Sequence, residues 1–133
     1  MDIKNFSRKD TGNFGEGMAA IYLTRHGFRV TARNVSRKTG ELDIIAVKGK
    51  TLHVIEIKTS LCEEFPNHEQ RNGDVLYSPA NNLHANKIRK VARTAEWCVS
   101  NIDWEGDLQI DGALVWIRRE DGRALVRYIP QIL

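Results

Sequence analysis

The chain has 133 residues, 20 Lys and Arg against 17 Asp and Glu, a net charge of +3 and 41% hydrophobic content, which fits one domain over residues 1–133 with a modest core. No apolar run reaches the ~20 residues of a membrane span, and Met1 to Asp10 is polar where a secretory signal would be apolar; the expectation is a cytoplasmic protein without a membrane partner. Cys62 and Cys98 form no CxxC pair, so neither a disulfide framework nor a zinc site is signalled, and the small basic excess does not by itself select a polyanionic partner.

Asn13 to His26 reads as a helix with Asn13 as N-cap, Ala19, Ala20 and Leu23 on one side, and Gly27 as its stop. Glu16 falls on that same side, so an acid turns inward among small apolar residues, an unusual place for a carboxylate. Gly15 and Gly17 flank it and permit close backbone approach.

Phe28 to Arg33 alternates as a strand, and Asn34 to Gly40 reads as a basic loop. Glu41 to Lys48 and Thr51 to Lys58 are β-rich runs joined at Gly49-Lys50, the pattern of a hairpin. A two-residue turn pairs Lys48 with Thr51 and, by continuation, sets Asp43 opposite Glu56 and Glu41 opposite Lys58. One face then carries Glu41, Asp43, Ile45 and Val47 beside Leu52, Val54, Glu56 and Lys58, apolar toward the turn and charged at the open end. The other face, with Leu42, Ile44, Ala46, Ile55 and Ile57, is also mostly apolar, so both sides of the sheet should be covered.

From Leu61 to Asn82 the chain lacks periodicity and holds Pro66, Gly73 and Pro79; this 61–82 loop is a candidate substrate loop. Leu83 to Ser100 returns to the helical period, with Ile88, Val91, Ala92, Ala95 and Val99 on one face and Lys87, Arg89, Lys90 and Arg93 on another. Leu108 to Ile117 and Ala124 to Ile129 are two further strands around an Asp121-Gly122 turn. The order is αβββαββ, and a strand, helix, strand succession calls for a crossover with parallel pairing.

Carboxylates directly opposed on a hairpin have Cβ atoms ~5 Å apart and destabilise it unless neutralised. Lys58 can supply one positive charge, but a divalent cation serves both acids, and Mg²⁺ favours hard oxygen donors completed by water and phosphate. Glu16 could join Asp43 and Glu56. The same acids could instead form ordinary salt bridges with Lys58 or Arg33.

The ordered set Gly15-Glu16, Asn34, Gly40-Glu41-Leu42-Asp43 and Glu56-Ile57-Lys58 resembles the PD-(D/E)XK nuclease superfamily. Within it the chain looks like the YraN-like family of uncharacterised bacterial proteins, which is similar to archaeal Holliday junction resolvases. The likeness resumes at Lys87 and includes Ile110-Asp111 and Tyr128 to Leu133. It implies a restriction-endonuclease-like three-layer α/β core around a mixed five-stranded sheet, and a Mg²⁺-dependent (or Mn²⁺-dependent) endonuclease hydrolysing DNA phosphodiesters, branched or damaged DNA being the expected substrate and a homodimer the expected assembly. In that reading Asp43 and Glu56 hold the metal, the Ile57 carbonyl completes its shell, Lys58 positions or deprotonates the attacking water, and Glu16 is a further ligand or orienting acid. Glu41 beside Lys58 is assigned to orientation or salt bridging rather than to the metal. Arg33, Arg37, Lys38, Lys87 and Lys90 are the expected nucleic-acid contacts.

Ser60 and Gln109 stand where many relatives carry arginine, which keeps open a nucleic-acid-binding protein that has the nuclease fold but does not cut. His26, His53, His68 and His84 share no metal-ligand spacing and are given no role, and Trp97 and Trp104 are expected to pack. GxSxG, P-loop and GxGxxG patterns are absent.

Overall fold

The computed structural model describes residues 3–67 and 82–133; most of the candidate substrate loop, residues 68–81, lies outside the described residues. A short 3-10 turn, Ile3–Asn5, precedes helix α1, Arg8–Arg25. The helix starts six residues earlier than the Asn13 cap would have it, because Ser7 and Asp10 form a capping box: Ser7 Oγ accepts the Asp10 N–H at 3.1 Å and Asp10 Oδ2 accepts the Ser7 N–H at 3.0 Å. Those reciprocal bonds satisfy two backbone donors that no earlier turn can reach. At the other end Gly27, with φ +88, ends the helix as expected.

Among the described residues five strands follow: β1 (Arg29–Arg37), β2 (Gly40–Lys48), β3 (Thr51–Cys62), β4 (Asp107–Arg118) and β5 (Ala124–Ile129). The basic Asn34 to Gly40 segment is therefore mostly strand, since β1 pairs with β2 as far as Arg37↔Gly40 and leaves only Lys38 and Thr39 to turn. The β2/β3 hairpin has the two-residue turn and the register its sequence calls for, from Lys48↔Thr51 to Ile44↔Ile55. β3 runs four residues past Lys58, because β4 pairs with it in parallel to Cys62↔Arg118.

Helix α2, Asn82–Ser100, makes the crossover between these parallel strands, and the sheet order is β1-β2-β3-β4-β5. The result is a mixed five-stranded sheet between two helices in the order αβββαββ. On one face Ala19 and Leu23 of α1 meet Ile44, Ala46, Ile55, Ala113, Val115 and Ile117. On the other Val91 and Ala95 of α2 meet Leu42, Leu52, Val54 and Ile110. Covering both faces removes the apolar surface of β3 and β4 from water and makes the sheet a rigid middle layer.

His53 is given a structural part that its spacing did not reveal. Its Nδ1 lies 2.6 Å from Oδ2 of Asp111, a fully buried carboxylate that also accepts the Tyr128 hydroxyl at 2.6 Å, Gln109 Nε2 at 2.8 Å and the Gln131 N–H at 2.9 Å. A buried carboxylate is tolerated only with such a full set of donors. Through it, Asp111 ties β3, β4, β5 and the closing segment together.

Among the described residues no helix is long and apolar enough to cross a membrane.

Candidate functional site

The site is a fork where β2 and β3 stop pairing. Their ladder ends at Ile44↔Ile55. On the other side of β2, Arg33 pairs with Ile44 and Val35 with Leu42, so Asn34, whose φ of +53 is left-handed, stands abreast of Asp43. Asp43 thus lacks a regular partner on either side, and β2 kinks there.

The kink has a visible consequence. Leu42 packs with the α2-side core while Ile44 packs with the α1-side core, although residues two apart on a regular strand share a face. Leu42 is thereby corrected from its expected place beside Ile44. Asp43 lines a cavity under α1 together with Glu16, Ile57 and Thr59, whereas Glu56 is approached by Lys87 of α2, with Nζ 4.0 Å from Oε1. The two acids meet across the fork from opposite sides and do not form the flat cross-strand pair expected.

Carboxylate oxygens take the place of ladder carbonyls. The Asp43 N–H donates to Glu56 Oε2 at 3.2 Å, and the Ile57 N–H donates to Asp43 Oδ2 at 2.8 Å. The expected pair Glu41 and Lys58 lies beyond the ladder, and Glu41 accepts from Ser36 Oγ at 3.3 Å.

Burial makes these acids hard to ionise. Desolvation pushes the Glu56 carboxyl up to about 7, with the negative charge of Asp43 adding to it. Asp43 is raised by burial, against the Ile57 hydrogen bond that favours its charged form. Glu16 is raised by burial and is held by Arg33, whose Nε lies 3.1 Å from Oε1. Lys58 is lowered by desolvation, with Lys87 as a second cause. An acid pair reluctant to be charged, with a lysine two residues on whose charged form burial also disfavours, is a pattern that concentrates at functional sites.

The fork offers a cation oxygen donors only: the carboxylates of Asp43 and Glu56, with Glu16 across the cavity and the Ile57 main chain between them. Among the described residues no three His, Cys, Asp or Glu side chains are already gathered for a metal. Mg²⁺ commonly takes one or two carboxylates and fills its remaining positions with water and phosphate, so this donor set fits it.

The expected nucleic-acid contacts separate into two groups. Lys87 and Lys90 are exposed on α2, one helical turn apart, with Lys87 at Glu56. Lys38 is exposed at the β1/β2 turn, which docks on α2 where Thr39 Oγ1 meets Thr94 Oγ1 at 2.7 Å. Arg37 lies over the Trp97 ring at 5.7 Å, and Trp97 is 49% exposed rather than packed. Arg33 is on the α1 side, committed to Glu16. Three cations on the cavity rim, Arg8, Lys9 and Arg119, had no part in the sequence reading. The Ser7 to Asp10 capping pattern could have placed the first two at a helix start, but nothing local brings Arg119 to them.

The model of the uncharacterised protein family UPF0102 matches residues 15–117. A UPF0102 protein of Syntrophotalea carbinolica is 30% identical over 125 residues, covering 94% of this chain and 92% of that protein. One of Parabacteroides distasonis is 33% identical over 115 residues, covering 86% and 85%. One of Dichelobacter nodosus is 29% identical over 116 residues, covering 86% and 83%.

Proposed function

The chain belongs to the uncharacterised protein family UPF0102, a description that assigns no activity, and from the site itself we propose a Mg²⁺- or Mn²⁺-dependent phosphodiester hydrolase acting on DNA. The observation that carries this reading is the β2/β3 fork, where the Glu56 carboxylate accepts the Asp43 N–H, the Asp43 carboxylate accepts the Ile57 N–H, and Lys58 follows Glu56 two residues on. A sheet does not gather two buried carboxylates at one point for stability, since each resists ionisation there.

Asp43 and Glu56 would hold the cation, with Glu16 and the Ile57 carbonyl as further donors. The cation would supply charge neutralisation for the phosphate and acidify a water. Lys58, two residues beyond Glu56 in β3, orients the attacking water and takes part in its proton transfer; desolvation and the charge of Lys87 lower its pKa. Lys87 and Lys90 draw the phosphate chain toward the acids and offset part of their negative charge.

A cleavage assay on linear, nicked and four-way DNA with Mg²⁺ or Mn²⁺, run beside calorimetric titration of Mn²⁺ into wild type and Asp43→Ala, tests this. The expected result is metal binding and cutting in wild type and neither in the variant. Identical absence of binding in both would overturn it.

A second reading is a DNA-binding protein that does not cut. It is favoured by Gln109, whose amide is spent on Asp111, and by Glu16, which is held by Arg33. Gel shifts without cleavage on the same substrates would select it.

A further inference from the structure

On the α1 side of the fork lies a cavity of about 630 Å³ that reaches from Asp43 and Glu16 along β3 to Leu61 and Arg119. Its size is that of a small-molecule site. Its chemistry is graded. Asp43 sits by Ile57, whose N–H it accepts; Arg119 is bonded to Cys62, further along β3; Arg8 and Lys9 are in the first turn of α1, about two turns before Glu16; Phe6, Thr59 and Leu61 also line the wall. From Ile57 to Leu61 the strand rises about 13 Å, room for one nucleotide unit between the acids and the cations.

We propose that this cavity is a subsite for a single nucleotide next to the reacting phosphate, its own phosphate held by Arg119, Arg8 and Lys9 and its base against Phe6 and Leu61. This rests on the hydrolase reading for the identity of the reacting group, and it extends substrate grip to the side of the fork opposite the lysines of α2.

The walls of the subsite are built. Phe6 is set by its contact with the Phe14 ring, centroids 5.8 Å apart, and by its place just before the capping box. Arg119 is fixed at its main chain by an N–H bond to the Cys62 carbonyl at 2.9 Å and at its guanidinium by Glu63 at 3.1 Å. Both Arg119 and Glu63 are at the surface, so that pair is weak and a nucleotide phosphate, singly charged in a DNA chain and a dianion in the free monophosphate, would compete with it. Asp43 by Ile57 and Arg119 by Cys62 orient a nucleotide in one sense only, with its phosphate away from Asp43 and Glu16. The sugar and base are left to the apolar wall.

The test is titration of thymidine 5′-monophosphate into the full chain in EDTA, followed by NMR shifts, with thymidine and inorganic phosphate as separate titrants. The monophosphate is expected to bind at least tenfold more tightly than either part, and Arg119→Ala to weaken it about tenfold while leaving thymidine unchanged. Leu61→Trp should fill the cavity and block the monophosphate; Arg119→Ala, at a surface position, keeps the test decisive if that variant does not fold. Equal affinity in wild type and Arg119→Ala, or phosphate binding as well as the nucleotide, would overturn the proposal. Absent metal-dependent cleavage with intact monophosphate binding would sink only the hydrolase reading. Cleavage with no monophosphate binding would sink only the subsite.

Discussion

The Asp43 main-chain N–H donates to Glu56 Oε2 at 3.2 Å, where a cross-strand carbonyl would serve in an unbroken hairpin. That bond keeps Glu56 at the mouth of the fork, 5% exposed, where desolvation raises it from 4.5 to about 7. The folded state thus holds the Glu56 proton more tightly than the unfolded chain does. The stability from that protonation is fully present below about pH 4.5 and is lost as pH rises through about 7. Metal-free protein should lose stability on the order of 3 kcal/mol across this window, and Glu56→Gln should remove most of the slope. Asp43 and Glu16, both raised, act in the same direction. Thermal melts of both proteins from pH 4.5 to 8 check this, and equal slopes would refute it. Mn²⁺ binds the ionised acids, so it should raise the melting temperature more at pH 8 than at pH 5.5.

Lys58 makes a separable prediction. It lies in β3 two residues beyond Glu56, and desolvation with the charge of Lys87 lowers its pKa. Lys58→Met should reduce cleavage by at least about 100-fold, the usual worth of a positioned proton-transfer group, while Mn²⁺ affinity measured by calorimetry stays within a few-fold of wild type. Asp43→Asn should lose both. A Lys58→Met protein that cuts at the wild-type rate would remove this lysine from the mechanism.

Much of this architecture is legible in the sequence because it follows from periodicity. The Gly49-Lys50 turn, the hairpin register to Ile44, the apolar face of α2 and the β3-α2-β4 crossover each follow from a local rule. What is not legible depends on neighbours distant in sequence. The kink at Asp43 needs Asn34 abreast of it and Glu56 beneath it, so the side change of Leu42 could not be read from alternation alone. The early start of α1 had a local signal in Ser7 and Asp10, but an Asp in place of the usual Glu or Gln hides the box. Arg119 reaches the cavity only through the parallel pairing of β3 with β4.

The glycine before Glu16 has a measurable purpose. A Cβ on Gly15 would lie 2.0 Å from Thr59 Oγ1, 2.5 Å from Cγ2 and 2.7 Å from Cβ. Because the Thr59 Cβ itself is too close, no rotamer relieves the clash, and α1 would have to lift from β3 and carry Glu16 away from the fork. Gly15→Ala should cost about 1–3 kcal/mol, in the range of overpacked cores, and Thr59→Ala should recover part of it in a double-mutant cycle read by urea denaturation. Gly12, in the same helix, has open space around it, so Gly12→Ala should be stabilising by up to about 1 kcal/mol. Equal effects at the two glycines would contradict the close approach.

Asp111 should be the most sensitive polar position outside the fork. Removing it with Asp111→Ala strands His53, Tyr128, Gln109 and the Gln131 N–H in the interior at once, and the expected loss is about 3–5 kcal/mol. Tyr128→Phe removes one donor and should cost about 1–2 kcal/mol. Chemical denaturation with a constant m-value is the measurement; near-wild-type stability of Asp111→Ala would mean the network does not hold β3, β4 and β5 together.

Salt dependence should separate the cations that grip DNA from those that hold the fold. Lys38, Lys87 and Lys90 are exposed along one side of the molecule, where the β1/β2 turn docks on α2, whereas Arg33 is committed to Glu16. If the three lysines each neutralise a phosphate, replacing one by alanine should lower the slope of log affinity against log salt by about 0.9 on duplex DNA, with stability within about 0.5 kcal/mol of wild type. Arg33→Ala should leave that slope unchanged and instead free the Glu16 carboxylate, so that Mn²⁺ binds more tightly. Fluorescence anisotropy at four or five salt concentrations distinguishes the two. A wild-type slope in all three lysine variants would move the DNA-binding surface elsewhere, and a reduced slope in Arg33→Ala would show that its pairing with Glu16 yields to phosphate.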